Sequence, residues 1–234
     1  MSDKLDIPQS LMDGLDIVAK SANDSLLLHK VCRNKNVTLD IVQLLFKVNP
    51  AAAYTATGKF AWEECEGSAW DHINDSTAYP LHLACYNEHC PSSVIQHLLV
   101  LYPDATKHFC ALDKWKPHPE FHELELYGLP LSYYLSRTVN VDIETVKLLV
   151  GAYPLALLDT NGDDEHDTTA GYLPIHTLLN NPNVSQMTDI VQYLVREFNS
   201  IRKSAGYGNH PLHIACANKN MMQRLFKCYL KHLT

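Results

Sequence analysis

Apolar residues recur at helical spacing along most of the chain. In the stretch Ile41-Val42-Gln43-Leu44-Leu45-Phe46, residues Val42, Leu45 and Phe46 fall at i, i+3 and i+4, on one face of a helix. The pattern returns in Val94-Ile95-Gln96-His97-Leu98-Leu99, in Thr145-Val146-Lys147-Leu148-Leu149-Val150 and in Ile190-Val191-Gln192-Tyr193-Leu194-Val195. Each copy ends near Pro50, Pro103, Pro154 or Asn199, and proline cannot continue a helix. A shorter copy, Met222-Gln223-Arg224-Leu225-Phe226, lies close to the last residue.

A second pattern precedes each of these stripes. Its copies are Ser25 to Cys32 (SLLLHKVC), Ala78 to Cys85 (AYPLHLAC), Gly128 to Leu135 (GLPLSYYL), Tyr172 to Leu179 (YLPIHTLL) and Asn209 to Cys216 (NHPLHIAC). Pro80, Pro130, Pro174 and Pro211 suit the first turn of a helix, where the missing N–H costs little. His29, His82, His176 and His213 then read as hydrogen-bonded residues at helix starts. The small residues Ala84, Cys85, Ala215 and Cys216 suit places where two helices approach closely. Each unit is therefore a short helix, a turn, an amphipathic helix and a connection.

Such a hairpin cannot bury its apolar stripe alone, so neighbouring units must stack. The expected fold is all-α, a solenoid of about five helix-turn-helix units. The units run about 25–77, 78–127, 128–171, 172–208 and 209–234. Residues 1–24, with Leu11, Leu15 and Val18 at helical spacing, form an expected N-terminal capping segment.

The repeated Pro-Leu-His-x-Ala-Cys pattern resembles the ankyrin repeat, whose first helix opens on Thr-Pro-Leu-His-x-Ala. The resemblance covers roughly residues 25–234. Gly171 and Gly208 stand five residues before His176 and His213, where the family carries glycine. The family's threonine is absent: Leu26, Tyr79, Leu129, Leu173 and His210 occupy its place. Its Gly-His turn is replaced by asparagine-rich turns such as Asn34-Lys35-Asn36 and Asn180-Asn181-Pro182-Asn183. Positions 29, 82, 132, 176 and 213 are separated by 53, 50, 44 and 37 residues, against about 33 in an ordinary ankyrin repeat. The resemblance implies that the surplus forms long finger loops and that the concave face and fingers bind another protein.

Composition narrows the partner. The formal net charge of −7 disfavours nucleic acid. No apolar run approaches the roughly 20 residues that span a bilayer, and residues 1–20 lack the apolar core of a secretion signal. Cytoplasm or nucleus is therefore the expected location. Seven cysteines without a CxxC pair suggest free thiols rather than a zinc site. Acidic residues gather in the expected fingers: Glu63, Glu64, Glu66, Asp71 and Asp75, then Asp159, Asp163, Asp164, Glu165 and Asp167. A partner with a basic surface would suit them. A merely solvated charged surface is the alternative.

All three tryptophans lie in the expected fingers. Trp62, Trp70, Trp115 and Phe121 are the leading candidates for partner contact, because exposed aromatics concentrate binding energy. Tyr127, Tyr172 and Tyr207, which precede the first helices of later units, complete the set. The competing reading is that each finger folds its aromatics into a small core of its own. An enzyme or metal-binding protein is the main alternative function, using His108, Cys110, His118 and His122, or a Cys85–His82 dyad. No GxSxG, P-loop, GxGxxG or HExxH motif supports catalysis, and no cofactor or metal is expected. The acidic run from Asp159 to Asp167 lacks the spacing of a calcium loop. A structural spacer within an assembly is the third possibility.

Overall fold

The computed structural model describes residues 27–56, 78–113, 125–160, 171–197, 204 and 208–219. Their main elements are nine α-helices: α1 (Leu27–Arg33), α2 (Leu39–Val48), α3 (Pro80–Tyr86), α4 (Ser92–Leu101), α5 (Pro130–Ser136), α6 (Ile143–Ala152), α7 (Pro174–Asn180), α8 (Thr188–Glu197) and α9 (Pro211–Ala217). The first helix of each unit has seven residues and each complete second helix has ten. One addition breaks the all-helical expectation. Strands β1 (Cys110–Asp113) and β2 (Glu125–Gly128) pair antiparallel, with Cys110 opposite Gly128 and Asp113 opposite Glu125.

Local chemistry sets the helix ends. Pro80, Pro130, Pro174 and Pro211 each occupy the first helical position, as their spacing predicts. The Thr38 hydroxyl caps α2 by accepting from the Ile41 N–H, and the Asp142 carboxylate caps α6 by accepting from the Thr145 N–H at 2.8 Å. α2, α4 and α6 each end with one residue left before a proline, because proline disfavours helical backbone in its predecessor. Asn49, Tyr102 and Tyr153 take up nearly the same non-helical conformation there, with φ of −138°, −146° and −145°.

The prolines do more than stop a helix. Pro50–Tyr54, Pro103–Lys107 and Pro154–Leu157 form 3-10 turns that tuck Ala52, Ala105 and Ala156 into the core. The matching sequence signal is a Pro-x-Ala that recurs in these three connections, which helical periodicity alone does not reveal.

The helices stack in two rows. α1, α3, α5, α7 and α9 follow one another in the first row, and α2, α4, α6 and α8 in the second. The core lies between the rows. Leu45, Leu98, Leu149 and Leu194 are 5%, 2%, 1% and 1% exposed, so the stripes that the periodicity predicted do face inward. Burying each such leucine stabilises the fold by roughly 2–3 kcal/mol. Ala84, Cys85 and Ala215 are buried as their size suggests, whereas Cys216 is exposed. Among the described residues, no helix is long and apolar enough to cross a membrane.

Candidate functional site

In the first, second and fourth units the repeated histidine ties the first helix to a backbone carbonyl of the connection that follows; Ser132 stands at this position in the third unit. The Tyr79 N–H donates to His82 Nδ1 at 3.2 Å, and His82 Nε2 lies 2.7 Å from the His108 carbonyl oxygen. An Nδ1 that accepts leaves the ring proton on Nε2, which donates to that carbonyl. His176 repeats the arrangement with the Leu173 N–H at 3.2 Å and the Asn209 carbonyl at 3.1 Å. His29 Nε2 meets the Thr55 carbonyl at 2.9 Å, and the His210 N–H donates to His213 Nδ1. For His82, His176 and His213 the N–H of the residue before the proline is the donor to Nδ1. Burial pushes the pKa of His82 and His176 down to about 4.

A second set of ties runs from unit to unit. Five residues beyond His82, His176 and His213 stands an asparagine whose Nδ2 donates to two carbonyls of the preceding unit. Asn87 reaches Cys32 and Asn34, Asn181 reaches Leu135 and Arg137, and Asn218 reaches Leu179 and Asn181, all within 3.0 Å. The third unit departs from this pattern. Arg137 replaces asparagine, and its Nη2 donates to the Glu88 and Cys90 carbonyls at 2.9 and 2.7 Å. Its guanidinium carbon stands 5.1 Å from the centre of the Tyr134 ring. Asn140, in the left-handed region at φ 58°, also donates to the Glu88 carbonyl, and the Glu88 carboxylate accepts from Thr138 N–H and Oγ–H. Beside them Ser92, Tyr134 and Asp142 share one hydrogen-bonded cluster.

These ties fix the stubs from which the fingers leave, and the stubs carry aromatic side chains. The Tyr54 and Tyr102 rings meet edge to face at 6.1 Å, Tyr102 and Tyr79 lie 5.2 Å apart, and Tyr79 and His108 lie 5.0 Å apart. Tyr79 also stacks on His82 at 5.9 Å. Partial burial and the neighbouring Tyr102 hydroxyl raise the pKa of Tyr79. Tyr54, at one end of this set, is 50% exposed; elsewhere on the connections Phe109 is 45% exposed and Leu155 57%. Lys107 stands where Tyr54 stands in the unit before, and it is paired with Asp104 at 2.5 Å. The result is an aromatic strip across the ends of successive proline turns. It is suited to van der Waals and cation–π contact with something outside the chain.

Of the residues that the sequence picks out for partner contact, Trp62, Trp70, Trp115, Phe121 and Tyr207 lie outside the described residues. Tyr127 lies on β2, paired with Ala111. Tyr172 belongs to the core, 8% exposed, with its ring 5.5 Å from that of His176. It serves the fold at a position where partner contact was expected. The strip itself was missed. Its tyrosines look unremarkable one by one, and only the Tyr-Pro of Tyr102-Pro103 and Tyr153-Pro154 hinted that they occupy equivalent places.

The histidine and cysteine alternatives gain little from the geometry. Both ring nitrogens of His82 are engaged by backbone, and burial raises the pKa of the Cys85 thiol far above its usual range, so neither acts as a base or nucleophile toward the other. Burial likewise lifts Cys90 and Cys110 to about 12. His108 is exposed while Cys110 is buried, and His118 and His122 lie outside the described residues. Among the described residues, no group of three or more His, Cys, Asp or Glu side chains is placed to hold a metal ion. No protein-family model matches the chain, and no curated protein matches it.

Proposed function

We propose that the chain is an array of five divergent ankyrin repeats that works as a protein-binding module or adaptor. One observation carries the reading. The same helix pair recurs, with the histidine tie in the first, second and fourth units and the asparagine tie in the second, fourth and fifth, and the connections carry Tyr54, Tyr102, His108 and Phe109. A rigid two-row scaffold with open aromatics on its connections is what a recognition surface requires. Scaffold rigidity lowers the entropy lost on binding, and aromatics supply contact area with few rotatable bonds. A standard interface of about 1,600 Å² in total is within reach of three adjacent units and their fingers. The surroundings expected for such a module are cytoplasm or nucleus.

The test compares the full chain with a Tyr54→Ser/Phe109→Ser variant and a Trp70→Ala/Trp115→Ala variant in affinity purification read by mass spectrometry. The expected result is a protein retained by the wild type and lost from at least one variant, with melting temperatures within a few degrees. An identical captured set from all three chains would remove the binding role from both strip and fingers.

A further inference from the structure

We infer that the outer face of the second-helix row is the contact surface of a reversible homodimer, in which two copies pack with their second helices antiparallel. This surface is separate from the aromatic strip discussed above. α2, α4, α6 and α8 lie side by side in the row. The Phe46 and His97 rings meet edge to face at 6.5 Å between α2 and α4, and Gln96 Nε2 donates to Thr145 Oγ1 at 3.0 Å between α4 and α6. In each of the four helices the second and ninth residues are exposed, and the sixth is exposed or half-buried. These positions stand at i, i+4 and i+7, so they share one side of the helix. The sixth residues, Leu44, His97, Leu148 and Tyr193, form an apolar and aromatic line along the middle of the face. Leu148 is 48% exposed, and Val100, the ninth residue of α4, is 80% exposed. The ninth residue of α6 is Gly151, and a Cβ there would meet nothing. Glycine inside a helix is destabilising relative to alanine. The fold gives no reason for it at this open position, whereas the close approach of a second chain does.

Charge identifies the occupant as a second copy. The second residues are Asp40, Ser93, Glu144 and Asp189, and the ninth are Lys47, Val100, Gly151 and Arg196. Two copies can meet on this face about a two-fold axis in two ways. An axis along the helices reverses the order of the units, and sets Asp40 of one copy against Asp189 of the other and Lys47 against Arg196. Like charges disfavour that arrangement. An axis along the stack keeps the order of the units and reverses the helices. It sets Asp40 against Lys47 and Asp189 against Arg196, each pair formed twice, while Leu44, His97, Leu148 and Tyr193 meet their own counterparts between them. The face is thus self-complementary in the way a two-fold interface requires. Its size agrees. Four ten-residue helices of about 15 Å, spaced at roughly 8–10 Å, offer roughly 500–600 Å² per copy. The total of about 1,100 Å² stands at the low end for a specific interface, so the dimer forms reversibly.

Sedimentation equilibrium of the full chain, from low to high micromolar concentration, tests the inference. The wild type is expected to pass from monomer to dimer over this range. Val100→Asp/Leu148→Asp should weaken association about tenfold or more at an unchanged melting temperature, because both side chains are open in the monomer. Asp40→Lys should weaken association, and Asp40→Lys/Lys47→Asp should restore it, because exchanging the two charges rebuilds every pair between the copies. A wild type that stays monomeric at all concentrations would overturn the inference. A dimer that the Val100/Leu148 variant leaves intact places the interface elsewhere and overturns it as well. So does an Asp40→Lys/Lys47→Asp variant that associates no better than Asp40→Lys. If the wild type stays monomeric but captures another protein that the Val100/Leu148 variant loses, the face belongs to that protein and not to a second copy. None of these variants touches Tyr54, Tyr102 or Phe109, so failure here is distinct from failure of the binding role proposed above.

Discussion

His82 and His176 each receive a backbone N–H at Nδ1, so each ring is held in its neutral Nε2–H form, wholly buried. Protonation would set a second donor against that N–H and place a charge inside the core. The folded pKa is accordingly about 4 in both cases, below the unfolded value of about 6.5. The sign follows directly. Below pH 6.5 the unfolded chain binds protons that the folded chain refuses, so stability is fully present above about pH 6.5 and falls as the pH drops toward 4. At pH 5 the loss relative to pH 7.5 is about 2 kcal/mol per histidine and about 4 kcal/mol for the pair. That is a large share of the 5–15 kcal/mol typical of a folded domain. The assay is urea unfolding followed by far-ultraviolet circular dichroism from pH 7.5 to pH 5. It is run on the wild type and on a His82→Gln/His176→Gln variant. Other titrating groups are common to both chains and cancel in the difference. The variant should be less stable at pH 7.5 yet lose about 4 kcal/mol less on acidification. Parallel stability curves for the two chains would refute the assignment of neutral, strapped histidines.

Four further outcomes follow from packing and hydrogen bonding. Asn181→Leu removes the donor that serves the Leu135 and Arg137 carbonyls, and should cost about 2–4 kcal/mol in urea unfolding. Leu149→Ala opens a cavity between the rows where the side chain is 1% exposed, and should cost about 3–5 kcal/mol by the same measurement. Arg137 is 1% exposed, and its Nε and Nη1 have no hydrogen-bond partner among the described residues. Arg137→Met, which keeps the volume without the charge, should stay within about 1 kcal/mol of wild type, while Arg137→Ala should lose about 3 kcal/mol. Asp142→Ala removes the α6 cap and a partner of Tyr134 and Ser92. It should cost about 2 kcal/mol and lower the melting temperature by several degrees.

Helix positions and inward faces among the described residues were legible in the sequence because they depend on interactions within about four residues. Val42, Leu45 and Phe46 define a stripe whatever lies beyond it, and Pro80, Pro130, Pro174 and Pro211 mark helix starts through their own backbone geometry. Gly171 and Gly208 belong to the same class. Their φ values of 74° and 72° are left-handed, and a Cβ at Gly208 would meet nothing, so glycine is needed there for conformation and not for space. The partners of the asparagines were not legible. Asn87 finds its acceptors 53 and 55 residues away, and Asn181 44 and 46. No local pattern encodes a partner at that distance.

The same limit governed the site. The tryptophans stand out in the sequence because exposed ring area is costly in water, whereas Tyr172, named beside them, is 8% exposed with its ring against that of His176. Tyr54, Tyr79, Tyr102 and His108 are scattered through two connections and become one strip only when the units stack. The chain by itself determined which segments are helices and which faces they must hide, since both follow from short-range sterics and the aversion of apolar side chains to water. Tertiary structure alone decided which polar groups meet across units and which aromatic rings stay open, because those outcomes depend on where one hairpin lands on the next.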